Sequence, residues 1–359
     1  MDWGCRARRA VLMITVFAAL ATAATEIPPA YLLEWGAQGT GNEEFTTIDD
    51  VAVHSSGFVA VSDQILNRVQ QFDTRGNYIR QWGGSGTAAS EFDRPWGVAV
   101  DRAGNIYVSD RENHRVQKFD NEGTFLLMWG GGVVSGTDTF EICTSSCKKG
   151  TAGGNPGQFN LPTGLTVDGG GNVYVANWGN FRVQKYQSDG TYLTYLGTDG
   201  TAEGEFFGGP ADVAVDSDGN VYTCEETNAR VQVFDRDGNF VRMWGFGVDD
   251  GTPELQVCTG GCEAGQRGNA EWQFGSAETL AVDSDGNVYV ADFANDRVLK
   301  FDHWGKPLVW WSDGNGALDK PVGIDIEGLS LYLGDRGNFR IIKYGGPYFE
   351  THVGEPDQK

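Results

Sequence analysis

The sequence predicts an all-β fold, a six-bladed β-propeller closed by an N-terminal strand that completes the last blade. Three observations carry this prediction. One strand-turn-strand unit recurs six times, glycines and aromatic residues punctuate every copy, and a lone fragment of the unit stands ahead of the first copy. The 359 residues include 52 glycines and are 12% aromatic, a mixture suited to many short strands joined by tight turns. A repeat of about 40 to 50 residues is one supersecondary unit that buries its apolar faces only by stacking against its neighbours, so the copies form one body rather than separate domains.

The unit opens with the strand Gly97-Val98-Ala99-Val100-Asp101, which recurs at Gly164 to Asp168, Asp212 to Asp216 and Thr279 to Asp283, and more loosely at Asp50 to His54 and Gly323 to Glu327. A glycine turn and a Tyr-Val strand follow, as in Gly104-Asn105-Ile106-Tyr107-Val108. The third strand carries an arginine at 68, 115, 182, 230, 297 and 340; the spacings are 47, 67, 48, 67 and 43, so two copies hold insertions of about twenty residues, near 132–151 and 247–267. A fourth strand with an aromatic ending occurs at Tyr78 to Gly83, Phe125 to Gly130, Tyr192 to Gly197, Phe240 to Gly245 and Pro307 to Trp311. The sixth fourth strand is Tyr31-Leu32-Leu33-Glu34-Trp35-Gly36, at the far end of the chain, which joins first and last blades and removes an open sheet edge. Tyr348 to Val353 is the alternative, but it lacks the Trp-Gly ending.

Antiparallel strands put two kinds of connection on opposite faces. The first-to-second and third-to-fourth turns are short, as in Asp216-Ser217-Asp218-Gly219, Asp235-Arg236-Asp237-Gly238 and Asp283-Ser284-Asp285-Gly286, and read as hairpin turns rather than calcium loops because no later acidic ligand follows Asn220. The other face holds the long variable loops and both insertions, and binding groups collect on such loops. The pairs Asp63/Arg68, Asp110/Arg115, Asn177/Arg182, Glu225/Arg230, Asp292/Arg297 and Asp335/Arg340 occur in every unit and so read as architecture, as do Phe45, Phe92, Phe159, Phe207 and Phe274.

The run Asn-Ile-Tyr-Val-Ser-Asp-Arg-Glu-Asn-His-Arg-Val-Gln-Lys-Phe at 105–119, with similar runs at 172–186 and 287–301, resembles the NHL-repeat family over roughly residues 31–344. The resemblance implies a six-bladed propeller on a scaffold shared by binding modules, lyases and surface proteins, so function has to be argued from the site.

Arg6, Arg8 and Arg9, the apolar run Val11 to Leu20 and Ala21-Thr22-Ala23 form a secretory signal over 1–23, so the protein is expected to be secreted, periplasmic or extracellular. The propeller then spans 31–346 and a tail 347–359. A formal charge of −22 excludes a nucleic-acid partner, since that affinity comes from Lys and Arg displacing counterions. No later stretch is apolar enough to span a membrane.

Residues that break the repeat are the informative ones. Asp49, Asp50, Trp96, Asp212 and Glu278 fall at the expected channel mouth, where Asp50, Asp212 and Glu278 are the candidate ligands for a divalent cation, calcium or zinc; otherwise no cofactor is expected. Trp178, Phe181, Phe293 and Phe339 lie on second-to-third loops and form either an exposed partner surface or a layer beneath the insertions, with His114 beside them. Cys143 with Cys147 and Cys258 with Cys262 are read as local disulfides stapling two lids, with a four-cysteine zinc site as the alternative and Cys224 as a buried thiol. Zinc-dependent peptidyl-hydroxyglycine lyases, which the propeller resembles, gather several histidines; here His54, His114, His303 and His352 are scattered. The expected function is therefore non-catalytic binding of a protein, a glycan or another copy of the chain, with a metal-dependent lyase or hydrolase as the alternative.

Overall fold

The computed structural model describes residues 26–314 and 316–345. The expected signal sequence over 1–23, the expected tail 347–359 and the alternative closing segment Tyr348 to Val353 lie outside the described residues. Six antiparallel sheets contact one another in chain order around a ring through their innermost strands, Asp50–His54, Pro95–Val100, Pro162–Val167, Asp212–Val215, Ala277–Val282 and Pro321–Glu327. We number the blades one to six in that order.

Period-two alternation decides why these segments are strands: β-branched and aromatic side chains point alternately to the two faces of each blade, and both faces are covered by neighbouring blades. The core therefore lies between blades. Between blades two and three it comprises Tyr107, Val116 and Trp129 from one side and Phe159, Leu165, Val175 and Tyr186 from the other. Trp129 is fully buried and packs against both Tyr107 and Tyr186, with ring centroids 6.2 and 5.6 Å away.

Ring closure follows the sequence reading. The strand Ala30–Trp35 is antiparallel to Arg340–Gly345 and completes blade six, with Tyr31 opposite Tyr344 and Trp35 opposite Ile341. Glu34 accepts a 2.7 Å bond from Arg340 Nη1, adding a charged tie across the closure.

Two features differ from the sequence reading. The insertions are not lids: each adds a fifth, outermost strand, Phe140–Cys143 on blade two and Leu255–Cys258 on blade four, because each runs back beside its own fourth strand and extends the sheet outward. In blade four the packing phenylalanine is Phe206, fully buried, whereas Phe207 is 51% exposed. The consecutive left-handed glycines Gly208 and Gly209 take up the one-residue shift.

The two faces are built differently. On the short-turn face Asp216 Oδ1 accepts the backbone N–H groups of Asp218 and Asn220, and its Oδ2 accepts from Asn220 Nδ2 and the Tyr222 hydroxyl, at 2.7 to 3.1 Å. Those carboxylate oxygens are fully employed within the turn. Each third-to-fourth turn also seats its glycine on the outer strand of the preceding blade: Gly76 on Trp35, Gly123 on Trp82, Gly190 on Trp129, Gly238 on Leu196 and Gly305 on Trp244. On the long-loop face, Arg115 donates to the Asp110 carboxylate and to the carbonyls of Thr87, Ala88, Glu91 and Lys148, fastening both the loop into its blade and the insertion. Arg230 makes the matching set to Glu225, Thr201, Ala202, Glu205 and Glu263. The repeated acid–arginine pairs are structural.

Candidate functional site: the channel and its long-loop mouth

An innermost strand has no neighbour on its channel side, so some of its N–H groups need an acceptor from elsewhere. Three carboxylates supply it, each clasping two blades. Asp50 accepts from its own blade at Val51 N (2.8 Å) and from blade two at Val98 N (2.9 Å). Asp212 does the same with Val213 and, in blade five, Leu280, and Asp325 with Ile326 and, in blade one, Val53. All three face a polar cavity of about 230 Å³ along the axis. Burial drives their carboxyls upward: Asp50 well above the usual range with Asp212 adding repulsion, Asp212 to about 7, and Asp325 to about 7.

This alters the cation reading. Asp50 and Asp212 lie inside the channel rather than at its mouth, and each oxygen already accepts a backbone N–H, so they do not converge with Glu278 on one point. Among the described residues no three His, Cys, Asp or Glu side chains are grouped to hold a metal ion.

Above the channel, on the long-loop face, the residue directly after each second strand forms a ring: Gln64, Arg111, Trp178, Glu226, Phe293 and Arg336. Arg111 lies 5.0 Å from the Trp96 ring and 5.7 Å from Trp178, and it contacts Glu112 at 3.4 Å. Arg336 lies 5.9 Å from the Phe293 ring and 3.4 Å from Asp49 Oδ1. Stacking fixes both guanidinium planes while leaving donors at their edges. Asp49 and Glu278 sit beneath this ring; burial raises Asp49 to about 6, partly offset by Arg336, and raises Glu278 to about 7 with help from the Glu226 charge. Sequence reasoning found Trp96, Trp178, Asp49, Glu278 and Phe293 here but missed Arg111, Glu226 and Arg336. Their signal was present in the alignment of the six copies: this column changes freely from blade to blade, directly after a column that is acid or amide in all six.

The remaining candidates serve the blades. His114, Phe181 and Phe339 share a left-handed position at the end of the second-to-third loop, with φ of 49°, 55° and 56°. From that position His114 Nδ1 accepts the Leu161 N–H of the next blade at 3.2 Å, as Asn67 accepts from Arg94 and Asp296 from Lys320. Burial lowers the His114 imidazole, keeping it the neutral acceptor this contact needs. Phe181 and Phe339 instead pack against the inter-blade cores, so with Trp178 and Phe293 they form neither one exposed patch nor a layer beneath the insertions. His54 and His303 belong to short turns on the other face; His352 is outside the described residues.

Cys143–Cys147 and Cys258–Cys262 are disulfides with Cα separations of 5.7 and 5.8 Å, which removes the four-cysteine zinc alternative. Cys224 is a buried free thiol, raised by burial. No helix among the described residues is long and apolar enough to cross a membrane.

The six blades, the short-turn face and the aromatic–guanidinium mouth define a six-bladed β-propeller with one architectural face and one variable face. The NHL repeat family matches residues 92–119, 159–186, 207–234 and 274–301, blades two to five. These four blades are thus NHL repeats. No curated protein matches it by sequence. Similar solved structures include virginiamycin B lyase from Staphylococcus aureus, at 10% identity and a TM-score of 0.54 over 87% of this chain and 98% of that one. Kuenenia stuttgartiensis hydrazine synthase aligns at 12% identity and a TM-score of 0.55, covering 86% and 99% of the two chains. A structural genomics protein from Bacteroides thetaiotaomicron aligns at 15% and 0.58, covering 87% and 76%. At these identities the likeness is one of fold.

Proposed function

We propose that this is a secreted binding propeller that takes a polar, protruding part of its partner, a protein loop or a glycan end, at the long-loop mouth. The observation behind it is the ring itself. Six positions facing one axis have been freed from the repeat, and with Trp96 and the acids beneath them they present two stacked guanidiniums, three aromatic rings and three carboxyls; convergent polar groups among aromatic surface suit recognition. The two disulfides fit an oxidising compartment. The test is binding of the intact mature protein to glycan and peptide arrays, repeated with Arg111→Ala and with Trp96→Ala. A ligand that loses about tenfold or more in affinity with either change supports the mouth as the site; ligands bound equally by all three proteins remove it.

A second reading rests on one observation. A carboxyl held at about 7, as Glu278 is, is matched to general acid–base work at neutral pH. This would make the chain a lyase or hydrolase of the six-bladed type without recruiting Asp50 and Asp212 to a metal. Turnover of any arrayed ligand that follows a pKa near 7 and vanishes in Glu278→Gln would favour it over binding alone.

A further inference from the structure

At five blade junctions the space beside the short-turn face is filled by the next blade's third-to-fourth turn. Side chains of the preceding blade reach for that turn: Gln71 donates to Asn121 O (3.2 Å), Lys118 to Ser188 O (2.9 Å), Lys343 to Thr74 O (3.4 Å) and Arg242 to His303 O. Among the described residues blade six shows no such turn: its third strand ends at Gly345 and its outer strand begins afresh at Ala30. At the junction of blades five and six Lys300, the counterpart of Lys118, pairs with Glu26 at 2.7 Å instead.

The missing turn leaves a pocket of about 310 Å³. Between blades three and four, where the turn Asp235–Gly238 is in place, the corresponding gap is about 20 Å³. The seam pocket has an apolar wall of Ile27, Val309, Ile326, Leu329 and Leu331, with Tyr289 and Lys300 on its blade-five side. Its rim meets the point where the described chain leaves the fold: Gly345 is paired between Ala30 on one side and Ser330 on the other, next to the lining residues Pro29 and Leu331.

We propose that the seam pocket is a receptor for a glycine-containing, aromatic peptide segment, and that the occupant is the stretch Gly346-Pro347-Tyr348-Phe349 of this same chain. Three arguments converge on it. The pocket has the place, and lacks the contents, of a glycine turn that follows a third strand. The stretch begins one residue after that strand and opens with the Gly-Pro pair that favours turning. Its two adjacent aromatic residues match the volume, since a cavity of roughly 150 Å³ takes one benzene ring and this one is about twice as large.

The experiment is disulfide trapping in the full-length mature protein. Leu329→Cys combined with Tyr348→Cys is expected to form an intramolecular bond in most molecules under mild oxidation, detected by peptide mass mapping. Ile79→Cys, at an exposed position on blade one, combined with Tyr348→Cys serves as the control and is expected to form little. Equal trapping in the two proteins, or a bond that links two molecules instead of one, overturns the proposal. Leu329 and Ile79 are both exposed, so neither substitution disturbs the core. As a second measurement, Tyr348→Ala with Phe349→Ala should speed amide exchange at Ser330 and Leu331 by about tenfold; unchanged exchange there also overturns it.

Discussion

Replacing Asp325 by Asn isolates one of the three channel carboxyls. In the fold its pKa stands at about 7 against an ordinary 3.8, because full burial penalises the charged form and the Glu327 charge adds repulsion. Between those two values the native state holds a proton that the unfolded state has released, so stability falls as pH rises across the interval. One pKa unit is about 1.4 kcal/mol, so between pH 5 and 8 this residue alone withdraws about 3 kcal/mol, a large part of the 5 to 15 kcal/mol typical of a domain. The amide introduced by Asp325→Asn would not titrate, and its single carbonyl oxygen keeps an acceptor for one of the two N–H groups from Val53 and Ile326, at a cost of about 1 kcal/mol for the other. The variant is expected to be less stable than the parent at pH 5 and more stable at pH 8. Urea unfolding at pH 5, 6, 7 and 8, followed by tryptophan fluorescence, reads both curves. Parallel curves, with the variant offset by a constant amount, would refute the reasoning, because they would mean that Asp325 is already ionised throughout.

Trp129→Ala removes the fully buried indole between Tyr107 and Tyr186 and should cost about 3 to 5 kcal/mol, read by denaturant midpoint. Arg230→Ala leaves Glu225 buried without its cation and frees the carbonyls of Thr201, Ala202, Glu205 and Glu263; a loss of about 3 to 5 kcal/mol is expected, with hydrogen exchange rising first around residues 201–205 and 263. Replacing Cys143 and Cys147 by Ser opens a five-residue loop worth about 2 kcal/mol by chain entropy, and because the insertion lies on the outer flank of blade two, proteolysis should nick residues 134–147 while the mouth and the ring stay intact.

The fold was legible because its determinants are repeated. Six copies of one pattern average out local ambiguity, and the orphan strand ending in Trp35-Gly36 had a single vacancy to fill, beside Ile341 and Ile342. What resisted reading depends on register and radius. Phe207 satisfied the spacing, yet a glycine pair moved Phe206 into the core instead. Asp325 was overlooked because it stands in the Ala99 column, away from the column that holds Asp50 and Asp212, although the channel brings all three within reach of one another. The insertions carry their own cysteines and glycines, which told of a stapled loop but not that it would pair with the outer edge of a blade. Arg111 and Arg336 resemble ordinary loop arginines until Trp178 and Phe293 of neighbouring blades are seen against them.

The strand that closes the ring is separated from its partner by almost the whole propeller, Ala30 lying against Gly345. Blades one to five can each zip locally as hairpins, but the sixth has to wait for two distant ends to meet, and such non-local pairing is slow to form. Assembly should therefore run in two stages, a rapid one in which a curved stack of blades gathers and a slower one in which the stack becomes a circle. Rewiring the chain order, by bridging Gly345 to Ala30 with an Asp-x-x-Gly hairpin and opening new termini inside the insertion at Ser135 and Gly136, would turn blade six into a local hairpin sheet like the rest. The permuted chain should reach the same native ring with the slow phase shortened or gone.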